Sequence, residues 1–242
     1  MNLIIDVGNT SVKVAVFKQD KVVELAFFDK KRILSEVKKI VKKYKISIGI
    51  MSSVALISKM KLEKLQKTLK LKLVSSKTKV PFVNLYKTPK TLGVDRIALV
   101  VGAVKNFPQK NVLVIDAGTC ITFDFVNKES EYLGGAISPG ILMRYKALKK
   151  FTSKLPLLDK KKPNNLIGDS TIESIHSGIV NGVVQEIDGV IEQYKMKYSD
   201  LTIVLTGGDT IFLSKQLKSS IFANQNFLLE GLNEILIFNE NK

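Results

Sequence analysis

A strand–acid–glycine–strand unit occurs twice in this chain, and any fold has to accommodate both copies. Residues 3–17 read LIIDVGNTSVKVAVF. Leu3, Ile4 and Ile5 form the short apolar run of a buried strand. Asp6, Gly8, Asn9 and Thr10 follow. Val12, Val14 and Val16 then alternate with Ser11, Lys13 and Ala15, the period of a second strand. The expectation is a hairpin whose tight turn carries a carboxylate, bare backbone N–H groups and a nearby lysine. Such a turn can approach a polyphosphate closely, because glycine has no Cβ in the way, and Asp6 could hold Mg2+ against it. An ordinary hairpin turn also favours Asp, Gly and Asn, so one copy alone leaves both readings open.

Residues 113–126, LVIDAGTCITFDFV, repeat the pattern. Without a gap, Asp6 falls on Asp116, Gly8 on Gly118 and Asn9 on Thr119. A period this long points to a duplicated domain rather than a solenoid. Two like domains, each with an acidic hairpin turn, would face one cleft. The arrangement resembles the acetate kinase, sugar kinase, Hsp70 and actin superfamily, in which ATP lies between two ribonuclease-H-like halves. The expected fold is therefore α/β: two ribonuclease-H-like, actin-like domains related by duplication, with mixed five-stranded sheets flanked by helices. The expected division is 1–107 for the N-terminal domain and 108–242 for the C-terminal domain.

The 242 residues suffice for two such domains, and 45% hydrophobic composition is ordinary for a globular protein. No apolar run reaches the ~18 residues of a membrane helix. The N-terminus has no basic region ahead of its apolar run, so no signal peptide is expected. One cysteine, Cys120, excludes an intramolecular disulfide and fits a reducing cytoplasm. The net charge of +16 raises the question of nucleic acid. However, the basic residues are lysines apart from Arg32, Arg96 and Arg144, whereas base readout favours the arginine fork. The lysines recur along helical segments, so a solvated surface and attraction of anionic substrates account for the charge. Neither a nucleic-acid nor a membrane partner is expected.

Along the chain, 21–28 reads as a third strand, 32–45 as a helix, 46–54 as a buried strand ending at Ser52-Ser53, 56–69 as a helix and 71–74 as a strand. Residues 77–90, with Pro81 and Pro89, read as loop or edge structure. Asp95 and Arg96 open a helix that runs to Lys105. In the second half, 132–140 reads as a shaped loop and 141–150 as a helix. A Ser170–Glu173 capping box starts a helix running toward Lys195. Residues 201–205 read as a strand ending in Thr206-Gly207-Gly208-Asp209, and 232–238 as the last helix. Gly178 and Gly182 suit close helix packing, between subunits or within one. His176, the only histidine, reads as a helix-face residue.

Six short motifs then fall in order: Asp6-x-Gly-Asn-Thr10, Gly93-x-Asp95-Arg96, Asp116-x-Gly-Thr119, Gly134-Gly-x-Ile-x-Pro-Gly140, Asp169-Ser-Thr171 and Thr206-Gly-Gly208. In this order and over essentially the whole chain, they resemble type III pantothenate kinases. The resemblance implies transfer of a phosphoryl group from ATP to the primary hydroxyl of pantothenate, the first step of coenzyme A synthesis. It implies that the stretch Asp6, Val7, Gly8, Asn9, Thr10, Ser11, Val12 and Lys13, together with Thr119, contacts ATP, with Asp6 near Mg2+. Asp95 resembles the catalytic base, although an aspartate also suits a helix start for structural reasons. Tyr86, Gly93, Val94, Asp95 and Arg96 resemble the pantothenate site, with Arg96 on either the substrate carboxylate or the transferring phosphate. Asp116 resembles the site of a monovalent cation, K+ or NH4+. Thr171 matches a threonine that reaches pantothenate from the partner in a homodimer, and Gly207-Gly208 would lie against adenosine. The competing class is a non-catalytic transcription accessory factor of the same family. Retention of Asp6, Asp95, Asp116 and Thr171 speaks for the enzyme.

Overall fold

A computed structural model describes residues 1–240. Strands β1 (Asn2–Val7), β2 (Val12–Lys18) and β3 (Lys21–Phe28) open the chain. Helix α1 (Ile33–Tyr44), β4 (Ile48–Ser53), α2 (Lys59–Gln66) and β5 (Lys70–Leu73) follow, then the short β6 (Val83–Asn84) and α3 (Val94–Asn106). The repeat supplies β7 (Asn111–Ala117), β8 (Cys120–Val126) and β9 (Glu131–Pro139). Next come α4 (Ile141–Phe151), α5 (Thr171–Lys197), β10 (Leu201–Thr206), α6 (Thr210–Ser214), β11 (Phe222–Ala223) and α7 (Phe227–Glu240).

The first sheet has the order β3-β2-β1-β4-β5. β1 lies antiparallel to β2 and parallel to β4, and β5 is parallel to β4. β1 is central, which is why Leu3, Ile4 and Ile5 form a continuous apolar run instead of alternating. On α1, Ile33, Val37 and Ile40 recur at helical spacing and are buried. In the second sheet the corresponding strands take the same order, β9-β8-β7-β10-β11. Two five-strand sets with one chain order and one sheet order are the structural counterpart of the repeated sequence. Both sheets are mixed and accompanied by helices. The second sheet has six strands, not five, because β6 pairs in parallel with the start of β9. β6 lies in the segment between Pro81 and Pro89, where an edge strand is tolerated.

The chain divides into two compact units. The first comprises residues 1–109 and 126–134 with the chain from Asn226 onward; the second comprises 110–125 and 135–225. The sequence division at 107/108 counted the last helix with the second half. Instead, α7 packs on α3 and reaches β1 and β4. α3 is buried without interruption from Arg96 to Ala103, so it needs a second apolar helix beside it. α7 supplies one through Phe227, Leu228, Leu229, Leu232, Ile235 and Leu236, all buried. It also starts at Phe227, five residues before the helix expected from the sequence.

The stretch read as a loop, 132–140, is mostly the strand β9. Its glycines serve close packing within the sheet. A Cβ on Gly135 would lie 1.6 Å from the Phe123 carbonyl oxygen, so only glycine fits there. His176 lies on the buried face of α5, with Nδ1 hydrogen-bonded to the Tyr145 hydroxyl at 2.7 Å. Cys120 is half-buried and free. Of the Ser170–Glu173 box, one arm forms. Ser170 Oγ accepts the Glu173 N–H at 3.3 Å, while the Glu173 carboxylate pairs with Lys161 at 3.2 Å.

Candidate active site

The first acidic turn is built by the β1–β2 hairpin. Asp6 is the penultimate residue of β1 and faces Lys13 across the antiparallel pair, so both side chains emerge on one face. The turn closes through Gly8 N–H to Ser11 O at 3.1 Å, and Lys30 Nζ donates to Asn9 O at 2.6 Å. Asn9 and Thr10 are exposed. Val7 and Val12 have fully buried side chains, so these two can meet a nucleotide only through their backbone.

Asp6 is 6% exposed. It also lies in parallel register with Ser52 of β4, whose Oγ donates to Asp6 Oδ1 at 2.8 Å. Burial pushes the Asp6 carboxyl above its usual pKa range; the Ser52 hydrogen bond and the Lys13 charge pull it back, and the Asp95 charge raises it further. Asp6 and Asp95 are thus electrostatic neighbours.

Asp95 sits on the first turn of α3, two residues past the Gly93 N-cap. Its Oδ1 accepts the Arg96 N–H at 2.9 Å. The carboxylate folds back over Gly93, where a Cβ would lie 2.3 Å from that oxygen. Glycine at 93 is what lets the acid take this position. Arg96 is 5% exposed, and its guanidinium lies over the Tyr86 ring, 5.6 Å from the centroid. Tyr86 in turn stacks on the buried Tyr132 with centroids 6.0 Å apart, and Gly134 leaves room for the Tyr86 ring. Asp6, Lys13, Tyr86, Gly93, Val94, Asp95 and Arg96 all belong to the first unit. Ser52, Lys30 and Tyr132 complete this neighbourhood. The first stands next to last in β4, which its apolar run marks as a strand. The other two carry no recognisable signal, because a surface lysine and a strand aromatic are common in any chain.

The second acidic turn is built by β7 and β8. Asp116 is the penultimate residue of β7 and lies in parallel register with Thr206 of β10. Gly207 has φ +96, and a Cβ there would fall 2.3 Å from Asp116 Oδ1. Only glycine at 207 allows the carboxylate to lie across this turn. Thr119 is exposed, with its carbonyl accepting the Gly140 N–H at 3.1 Å. Past Gly208, the buried Asp209 pairs with Lys160, whose ammonium also lies 5.4 Å from the Phe212 ring centroid. Gly208, Phe212, Lys160 and Lys215 help line a cavity of about 470 Å3. Thr171 is the exposed first residue of α5. Along the same helix, Gly178, Gly182 and Gly189 are exposed, with open space where a Cβ would stand.

Among the described residues no group of three or more His, Cys, Asp or Glu side chains is arranged to hold a metal ion. Mg2+ at nucleotide sites is held by one or two carboxylates together with phosphates and water. A single buried carboxylate oriented by a serine, Asp6, fits that role. Among the described residues no helix is long and apolar enough to cross a membrane.

A family model described as type III pantothenate kinase matches residues 2–193. A type III pantothenate kinase of Christiangramia forsetii is 52% identical over 241 residues, covering 99% of this chain and 99% of that protein. The Flavobacterium johnsoniae type III pantothenate kinase is 48% identical over 235 residues, covering 97% and 96%. Among solved structures, a protein of Campylobacter jejuni described as a conserved Baf family transcriptional activator aligns with TM-score 0.66 at 22% identity, covering 99% of this chain and all of that one. A glucokinase from an Antarctic psychrotroph aligns with TM-score 0.57 at 12% identity, covering 98% of each chain. At such identities the structural likenesses speak for the fold alone: paired ribonuclease-H-like halves of the actin and sugar-kinase kind. The near-full-length relatives and the family match go further, and the chain belongs to the type III pantothenate kinase family.

Proposed function

We propose that this chain transfers the terminal phosphoryl group of ATP to the primary hydroxyl of pantothenate, giving 4'-phosphopantothenate for coenzyme A synthesis. The observation that carries this is the buried, serine-held Asp6 with Asp95 as its charged neighbour at the start of α3. A phosphoryl transfer with a loose transition state asks the protein mainly for positioning and charge. Asp95 orients the attacking hydroxyl and takes its proton late in the reaction. Tyr86 and Arg96 form a paired surface for pantothenate, with the guanidinium available to the substrate carboxylate or to the transferring phosphate. The backbone of the Gly8–Ser11 turn and Lys13 hold the phosphates. Asp6 holds Mg2+, which supplies charge neutralisation to the phosphates when bound.

In the second unit, Asp116 holds K+ or NH4+, Thr119 contacts ATP, and the cavity beside Gly208 receives the adenosine. The protein acts in the cytoplasm as a homodimer. Exposed α5 glycines let a symmetry-related helix approach closely, and Thr171 of each copy reaches the partner's pantothenate. No feature of the described residues gives separate support to a non-catalytic transcription factor, and Asp6, Asp95, Asp116 and Thr171 are all present. The test is purified protein with ATP, Mg2+, K+ and pantothenate. Formation of 4'-phosphopantothenate is expected, and its absence under those conditions overturns the assignment.

A further inference from the structure

Each half of the molecule has, at or next to the end of its fourth strand, a hydroxyl residue opposite the acid of its first strand. Ser52 is in parallel register with Asp6, and Thr206 with Asp116. Residues in direct register share a face of the sheet. Ser52 uses this position to donate to Asp6 at 2.8 Å. Thr206 does not behave in the same way: it is 1% exposed, and its Oγ1 has no hydrogen-bond partner among the described residues. Native proteins seldom tolerate such an atom, and where they do an ion, an ordered water or a functional role accounts for it. A valine of the same shape would fill the site without that penalty.

The surroundings indicate which kind of ligand the hydroxyl takes. Asp116 Oδ1 lies across Gly207, the residue next to Thr206. A carboxylate residue and a neutral hydroxyl residue therefore stand in register at the end of the β7–β10 pair. Two hard oxygens with a single negative charge suit a singly charged cation; a divalent ion calls for more carboxylate or for phosphate. We propose that Thr206 Oγ1 is a second protein ligand, beside Asp116, for a bound monovalent cation. This rests on the reading of Asp116 as the cation site. It adds a residue that selects and tightens the ion.

The experiment is a thermal melt of the full chain without nucleotide, titrated with KCl against choline chloride at constant ionic strength. K+ is expected to raise the melting temperature of the parent protein and of Thr206→Ser, and to leave Asp116→Asn unmoved. Thr206→Val should need ~10-fold more K+ to reach half its shift, the scale of one lost hydroxyl contact to a charged group. In choline alone, Thr206→Val should melt no lower than the parent. If neither the parent nor any variant responds to K+, the cation reading of Asp116 fails, and this assignment with it. If the parent responds and Thr206→Val has the parent's K+ midpoint, the Thr206 assignment alone fails. A lower melting temperature for Thr206→Val in choline would also sink it, because it would reveal a structural partner. Independently of the variants, crystals of the parent grown with Tl+ should show anomalous density touching both Asp116 and Thr206. A water alone on Thr206 Oγ1 would overturn the proposal.

Discussion

The two halves carry the same device and set it differently. In the first, the acid at the end of strand one is nearly sealed from solvent and held by a serine donor, with a lysine across the hairpin and a second acid nearby. In the second, the corresponding acid is half-exposed, lies across a left-handed glycine, and stands beside a buried hydroxyl that makes no hydrogen bond within the described residues. The scaffold fixes where an acid and a hydroxyl meet, because parallel register leaves them no other choice. What each pair can do depends on burial and neighbouring charge. A buried carboxylate held by Ser52 and flanked by Lys13 suits a phosphate–Mg2+ site, and a half-exposed carboxylate with a buried neutral hydroxyl suits a weaker, singly charged ion. The repeat thus supplies two equivalent positions, and the residues around them differ in burial and charge.

The largest effect expected from breaking this comparison comes from Asp95, the acid whose charge reaches Asp6. Asp95→Asn keeps the hydrogen bond from the Arg96 N–H and the place over Gly93, so the fold should persist. Turnover should fall at least ~10²-fold, the usual scale for a positioned base. Near-normal turnover in a steady-state assay would end the assignment of chemistry to the first half.

Asp6→Asn should likewise abolish transfer, but it should stabilise the free protein at neutral pH. The folded-state pKa of Asp6 is raised above its usual value of 3.8 by burial. The folded chain therefore binds that proton more readily than the unfolded chain does. Stability falls as pH rises from the usual value through the raised one, and it stays lower above that window. Asparagine removes this fall. Chemical denaturation of parent and variant in Mg2+-free, nucleotide-free buffer should show the gap opening across that window. A variant less stable than the parent at pH 7 would contradict the burial argument.

A finer test sets the two hydroxyls against each other. Ser52→Ala withdraws a donor from a buried carboxylate and should cost about 1–3 kcal/mol. Thr206→Val, which keeps the shape of the side chain, should cost nothing, because Oγ1 gives up no hydrogen bond. Urea denaturation of both variants in K+-free buffer measures the difference, and equal losses would erase the asymmetry between the halves.

Much of this was legible in the sequence because strands declare themselves by apolar runs and alternation. The duplicated Asp-x-Gly turns and the end of β4 at Ser52-Ser53 were visible in this way. β9 was hidden by Gly134 and Gly135, which usually mark a loop; here they accommodate Tyr86 and the Phe123 backbone. The membership of α7 was hidden because an apolar helix does not announce its partner, and α3, which it covers, lies more than a hundred residues upstream. The burial of His176 depends on Tyr145, 31 residues away, a distance at which no periodicity operates. For the site itself, the acids were legible as motifs. The Ser52 and Thr206 contrast was not, since it requires knowing the register of strands far apart in the chain.

The smallest expected effect concerns how the second half contributes to pantothenate. Thr171 opens α5 and is exposed, with Ser170 capping the helix behind it. Gly178, Gly182 and Gly189 lie along the same exposed side with free space above them. In the proposed homodimer a two-fold pair of such helices packs closely, and each Thr171 hydroxyl donates one hydrogen bond to the substrate held by the other copy. One such bond is worth about 0.5–1.5 kcal/mol, so Thr171→Ala should raise the Michaelis constant for pantothenate by ~2–10-fold and leave that for ATP nearly unchanged. Mixing Asp95→Asn and Thr171→Ala subunits sharpens the test. In a heterodimer both lesions fall in one site, because the Asp95→Asn pocket receives the Thr171→Ala side chain. The other site is then intact. Subunit exchange should therefore regenerate high-affinity turnover at up to half the parental rate per heterodimer. A protein that sediments as a monomer at assay concentrations, or a mixture that stays at the Thr171→Ala affinity after confirmed exchange, would confine the whole pantothenate site to a single chain.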